Sequence, residues 1–268
     1  GVLLGDTFEY EKIQAVAGGI DVRGGVERCV TGGFLADQGN ALVLRHPLIR
    51  HVVYTSIPGV RRRDLHHQIA DVLEARYADP TDEQVAEIAH HMELAGDAVA
   101  PDRTLTYARL AGDSAMRLFA WGDAARNYEV AVAASQRVRN FPREVFARLS
   151  FLAAFAYYRN LDSGPCLHHL DQAIPAFRET DEVKGLSEAL TLRARCHLTQ
   201  VAVPYGEMLD LTQLEAIVEQ ASEDSPEIAG EALAIMSQAY WTGRQSTQAR
   251  EAALKALEIG ERSGNPST

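Results

Sequence analysis

Leu44-Arg45-His46-Pro47-Leu48-Ile49-Arg50-His51-Val52-Val53-Tyr54, running on through Ile57-Pro58-Gly59-Val60-Arg61-Arg62-Arg63-Asp64-Leu65-His66, is the junction around which the chain is organised. Pro47 stands at a first helical position, where a fixed φ and a missing N–H cost nothing. Leu48, Ile49, Val52 and Val53 continue that helix until Pro58-Gly59 ends it. A longer amphipathic helix follows from about Val60, with Leu65, Ile69, Val72 and Leu73 on one stripe. The stretch is a hinge between two patterns, with short mixed elements before it and helix after helix behind it.

Upstream, Asp6 caps a first helix carrying Phe8, Ile13 and Val16, with Gly18-Gly19 as its stop. A second short helix begins at Asp21, turns Val22, Val26 and Val30 inward and closes at Gly32-Gly33. The period then drops to two. Phe34–Asp37, a turn at Gln38-Gly39-Asn40, and Ala41–Leu44 spell the one hairpin of the chain. Downstream, Thr81-Asp82-Glu83 caps a helix through Val85, Ile88, Ala89 and Met92, and Gly96 closes it.

From there the chain repeats itself. Ala124, Tyr128 and Ala131 set a small, large, small spacing that returns at Cys166, Leu170 and Ala173, and again at Ala249, Ala253 and Ala256. The first interval is 42 residues and the second is close to two such steps, with a weaker copy at Asp210, Leu214 and Ile217 between. A partner helix precedes each set: Ala108-Ala111-Gly112-Ala115, Ser150-Ala153-Ala154-Tyr157 and Leu233-Met236-Ser237-Tyr240. Small residues there let paired helices approach closely, as stacked helical hairpins require. The pattern resembles a tetratricopeptide repeat, with a period of about 42 where about 34 is usual. It is similar to the sensor solenoids of large bacterial regulators; an unrelated helical-repeat scaffold is the alternative. The two helices, hairpin and further helix of the N-terminal part resemble a winged-helix unit.

Composition agrees with a mostly α protein. Aromatics make up 7% of the 268 residues and alanine, the best helix former, is abundant. The net charge of -11 divides as nine Lys and Arg against fifteen Asp and Glu up to residue 100, then seventeen against twenty-two, so neither part has the charge of a nucleic-acid-binding domain. Cys29, Cys166 and Cys196 are odd in number and lack a CxxC pair, which suggests neither a disulfide framework nor a zinc site and fits a reducing cytoplasm. No apolar run approaches the roughly 18 residues of a spanning helix, and no signal peptide is visible. The chain opens at Gly1 without Met, in mid-pattern, and reads as a piece of something longer.

No G-x-x-x-x-G-K-[ST], G-x-G-x-x-G, G-x-S-x-G or H-E-x-x-H occurs, so the chain is expected to catalyse nothing alone and to hold no cofactor or metal of its own. The pairs His66-His67, His90-His91 and His168-His169 read as polar helix positions, because adjacent residues on a helix diverge too far to share a metal. Residues 45–67 are locally basic, with Arg45, Arg50, Arg61, Arg62 and Arg63 against Asp64. A solvated helix start, a contact with a nucleotide or another domain, and direct DNA contact all fit that run. Residues 196–243 are the opposite extreme, eight acids without Lys or Arg: a solvated face, a repeller of nucleic acid or a receiver of a basic partner.

The residues Leu44–Arg50, Tyr54 to Pro58, Arg62-Arg63-Asp64-Leu65-His66 and Ile69–Glu74 together resemble the linker of STAND-type signalling ATPases, where an ATPase core is followed by a winged helix and a helical-repeat sensor. Ala89-His90-His91, Ala95-Gly96-Asp97, Leu118-Phe119 and Ala124–Tyr128 continue the resemblance, which covers roughly residues 5–135. It implies a winged-helix-like domain over 1–78, a connecting helix over 79–100 and about four helix pairs over 101–268. Members include large LuxR-type transcriptional regulators and class III adenylate cyclases. The family's Met-His-Asp latch aligns with Arg45-His46-Pro47, which implies a nucleotide phosphate contact for His46, while a helix cap or core-edge role is the alternative. ATP or ADP would be held by an upstream ATPase domain of the parent protein. An effector, protein or small molecule, would bind the concave repeat face, with Arg61, Arg62, Arg63, Tyr157, Tyr158, Tyr240 and Trp241 as candidate partner-binding residues. DNA would be reached only through a domain outside the chain, and no membrane is involved.

Overall fold

Phe8 is a strand residue. In the computed structural model, which describes residues 2–17, 20–39, 41–199, 211–224, 226–242 and 244–263, Thr7–Phe8 forms strand β1 and pairs antiparallel with β3 (Leu42–Leu44). The other edge of β3 pairs with β2 (Leu35–Asp37), so the expected hairpin becomes a three-stranded sheet of order β1-β3-β2. Phe8 lies opposite Leu42 and is buried with Leu35, Leu42 and Leu44. Burying that ring is worth about 2–3 kcal/mol, against about 1 kcal/mol for an N-cap at Asp6, so helix α1 starts later, at Tyr10–Val16. Ile13 still packs on the sheet cluster. Gly18-Gly19, the expected stop, lie outside the described residues, as does Asn40 of the hairpin turn.

Helix α2 (Val22–Thr31) keeps its expected start, because Asp21 accepts a hydrogen bond from the Gly24 N–H at 3.0 Å, and Val26 and Val30 lie on the sheet cluster. Helix α3 (Pro47–Ser56) begins at Pro47, yet Leu48 and Val52 stand 69% and 61% exposed while Ile49 faces the sheet cluster. Helix α4 (Gly59–Arg76) and helix α5 (Asp82–Ala95) share a core of Ile69, Ala70, Leu73, Ile88, Met92 and Ala95. The cap of α5 is reciprocal: Thr81 Oγ1 accepts from the Gln84 N–H, and Gln84 Oε1 accepts from the Thr81 N–H. Because α5 packs along α4, it falls within a first compact unit, Gly1–Ala111; the second is Gly112–Thr268, and the division lies inside α6 (Pro101–Arg117).

The second unit continues with α7 (Trp121–Ser135), α8 (Arg143–Arg159), α9 (Ser163–Glu179), α10 (Val183–Thr199), α11 (Leu211–Asp224), α12 (Pro226–Thr242) and α13 (Ser246–Ser263), a solenoid-like run of helix pairs. Ala124, Tyr128 and Ala131 on α7 and Cys166, Leu170 and Ala173 on α9 are buried as the repeat requires, as are Leu214 and Ile217 on α11. Asp210 lies outside the described residues. On α13 the register shifts: Ala249, Ala252 and Ala256 are buried and Ala253 is exposed. Gly112 is needed for close approach, since a Cβ there would come within 2.8 Å of the Tyr128 ring.

The turns repeat as well. Phe119, Leu161 and Arg244 have φ of 57°, 62° and 59°, and each stands five residues ahead of Ala124, Cys166 and Ala249. After each, an N–H reaches back to the helix just ended: Ala120 to Ala115 O at 2.9 Å, Asp162 to Tyr157 O at 3.0 Å, Gln245 to Tyr240 O at 2.8 Å. This is a left-handed helix closure, usually built with glycine. Among the described residues, no helix is long and apolar enough to cross a membrane.

Candidate functional site: a groove on the repeat helices

Within the second unit, Arg148, Phe151, Leu152 and Phe155 of α8 line a groove of about 330 Å³. Glu188, Thr191, Leu192 and Arg195 of α10 line the same groove, with Met116 of α6 and Glu231 of α12. On both α8 and α10 the lining residues fall at i, i+3, i+4 and i+7, one helical face, and the two sets are forty residues apart position by position. The groove is therefore built from equivalent faces of alternate helices.

Its floor is apolar and its walls are charged. Phe151 and Phe155 lie 6.4 Å apart, and the Arg148 guanidinium sits 5.1 Å from the Phe151 ring. Arg148 pairs with Glu188, and Arg195 pairs with Glu231, so each ion pair joins one lining helix to the next. Thr191 is 3% exposed and its hydroxyl has no hydrogen-bond partner among the described residues. A buried hydroxyl left unpaired costs about 1–3 kcal/mol.

The residues singled out in the sequence lie elsewhere. Tyr157 donates from its hydroxyl to Glu129 Oε2 and stacks on His169 at 5.7 Å, so it joins α8 to α7 and α9; burial and Glu129 raise its pKa. Tyr158 is half-buried on the same helix. Tyr240 reaches Glu215 Oε1 at 3.4 Å, beside a separate depression of about 300 Å³ over α11, α12 and α13, and Trp241 is 71% exposed. None of the four lines the groove. The forty-residue offset between α8 and α10 is the signal that would have found the lining set.

In the first unit His46 is the N-cap of α3, exposed and making no side-chain cap bond. Arg61 and Arg63 are exposed; Arg62 turns inward, with its guanidinium 4.8 Å from the Tyr54 ring. Behind Tyr54 lies a feature the sequence reading missed. His66 and His91, both on helices as expected, are each only 2% exposed, and their Nδ1 atoms are 2.8 Å apart. Tyr54 Oη lies 3.3 Å from His66 Nε2. One imidazole must donate and the other accept, so the pair is neutral and its tautomers are complementary. Burial, then His90 and Arg62, lower His66 to a pKa of about 4; burial, then His66, His90 and Lys12, lower His91 to about 3. His169 in the second unit, on α9, is also buried. Among the described residues no group of three or more His, Cys, Asp or Glu is placed to hold a metal ion. A cleft of about 410 Å³ opens beside this pair, lined by Pro47, Arg50, His51, Tyr54, His66 and His90 among others, and Arg50 already pairs with Asp6 at 3.7 Å.

No family model and no curated protein sequence matches the chain. Among solved structures it is similar to BtubC (BKLC) from P. vanneervenii, at 14% identity and a TM-score of 0.54, over 82% of this chain and 87% of that one. It is also similar to a signal transduction ATPase with numerous domains (STAND) that has a tetratricopeptide repeat sensor, from Pyrococcus horikoshii. There the identity is 11% and the TM-score 0.47, over 99% of this chain and 44% of that one. The first likeness is one of fold alone.

Proposed function

We propose that this chain is the non-catalytic sensor region of a cytoplasmic signal-transduction ATPase, in which the repeat helices bind an effector and a winged-helix unit over residues 1–78 relays occupancy to the nucleotide state. The groove between α8 and α10 carries the reading: apolar side chains flanked by four charged groups suit a peptide-like or amphipathic effector better than water. An effector that binds one conformation of the repeats better than another shifts the equilibrium by that difference in affinity and by no more. Output through a LuxR-type transcriptional regulator is the leading form of the proposal; the regulatory arm of a class III adenylate cyclase is the alternative, decided by the sequence on either side. Direct DNA binding by residues 45–67 is disfavoured by the net charge of -11, since non-specific affinity rests on phosphate neutralisation.

Phe155→Glu in the parent protein tests the groove. The expected result is loss of the effector response with basal ATP turnover retained; an unchanged response removes the groove from the mechanism. His46→Ala tests the nucleotide relay separately. Loss of ADP affinity by about 1–3 kcal/mol, as for an unsatisfied charged hydrogen bond, supports a phosphate contact at the start of α3, and unchanged affinity leaves residues 44–66 as a structural hinge.

A further inference from the structure

Cys166 and Cys196, thirty residues apart and on different helices, meet inside the second unit: both are 0% exposed and their sulfurs are 3.4 Å apart. Cys29, the third cysteine, is half-buried on α2 in the first unit, and none of the three is in a disulfide. A disulfide needs a sulfur separation of about 2 Å, so closing this pair asks for about 1.4 Å of approach. The contact joins α9 to α10, and Cys196 directly follows the groove residue Arg195.

We infer that Cys166 and Cys196 form an oxidisable dithiol, closed to a disulfide by a peroxide, that pins α9 to α10. The neighbouring Cys196 sulfur and burial push the Cys166 thiol up, while the hydrogen-bond interaction with Cys166 pulls Cys196 down, so Cys196 ionises first. Its thiolate attacks one peroxide oxygen, the O–O bond breaks, and with one proton taken up water leaves and a sulfenic acid remains. The Cys166 sulfur then attacks Cys196 Sγ; the S–S bond forms, the S–O bond breaks, and the hydroxyl departs as water with the Cys166 proton. Two electrons pass from the sulfurs to the peroxide, and two waters result. The pinned helix α10 also presents Thr191, Leu192 and Arg195, so the oxidised form holds one wall of the groove; that consequence alone rests on the sensor reading.

The test treats the whole chain, folded, with hydrogen peroxide, then unfolds it, alkylates it and maps the peptides. The expected result is a mass lower by two hydrogens, a Cys166–Cys196 cross-linked peptide, and Cys29 still available to alkylation. Cys166→Ser abolishes the cross-link and Cys29→Ser leaves it intact, so a poorly folding Cys166 variant does not decide the question. Three thiols still alkylated after treatment, over-oxidation without a cross-link, or a cross-link through Cys29 would each overturn the inference. The groove consequence is read apart, as a reductant-reversible change in the parent's effector response; its failure with the cross-link present counts against the sensor reading alone.

Discussion

The two units bury different chemistry at their centres. The first closes α4 against α5 partly through an imidazole pair, His66 with His91, backed by Tyr54. The second closes its helix pairs through alanines, with Ala124, Ala131, Ala153, Ala156, Ala173 and Ala176 at 0% exposure, around single large residues such as Tyr128. A pair of neutral imidazoles is directional and responds to protons; an alanine seam is non-directional and responds to volume. The first unit should therefore yield to acid, and the second to changes of size.

The largest effect tests the seam. Tyr128→Ala empties the space against Gly112, Ala124 and Ala153 and removes the hydroxyl bond to Asp113, and it should destabilise the second unit by about 3–5 kcal/mol. Urea unfolding followed by peptide-resolved amide exchange checks it; equal loss of protection in both units would break the comparison.

Acid tests the other side. An unfolded imidazole titrates near 6.5, whereas folded His66 and His91 titrate at about 4 and about 3. Their depressed values mean that the unfolded chain binds more protons below about pH 6.5. Their contribution is complete above that pH and lost as it falls, down to about 4 for His66 and about 3 for His91, at up to about 1.4 kcal/mol per pH unit for each group. The second unit has one counterpart, His169, lowered by burial but drawn back up by Glu129. Denaturation midpoints at decreasing pH should fall about twice as steeply for the first unit, and His91→Gln should remove about half of that slope. Parallel acid slopes would show that the imidazole pair sets nothing apart.

The smallest effect sharpens the picture of the repeat turns. Leu161 holds a left-handed conformation at 81% exposure. A side chain there costs about 1–2 kcal/mol, offset by the extra chain entropy that glycine loses on folding. Leu161→Gly should raise stability by up to about 1 kcal/mol, read as an upward shift in melting temperature. A lower melting temperature would mean that Leu161 makes contacts worth more than its strain.

Much of this was legible along the chain, and the omissions have physical reasons. The helices, the hairpin, the Asp21 and Thr81 caps and the buried sets on α7 and α9 follow from local periodicity and capping, which involve residues within a turn or two of each other. Strand β1 was invisible because two residues carry no period; it exists through Leu42, more than thirty residues away. The groove was half visible, since its lining repeats at forty residues on α8 and α10, but aromatic content pointed instead to Tyr157, which serves as packing between helices. The histidine pair could not be read, because neighbouring positions in sequence say nothing about which of two imidazoles turns inward.

The order of elements, the change from mixed structure to helical repeat, and the seam of small residues are all readable along the chain, because each is a sum of short-range preferences. The tertiary fold settled the rest: Phe8 completes a sheet, His66 meets His91, Cys166 meets Cys196, and the buried Thr191 hydroxyl has no partner among the described residues. Those are meetings between residues distant in sequence, and they arise only once the helices have chosen which faces to bury.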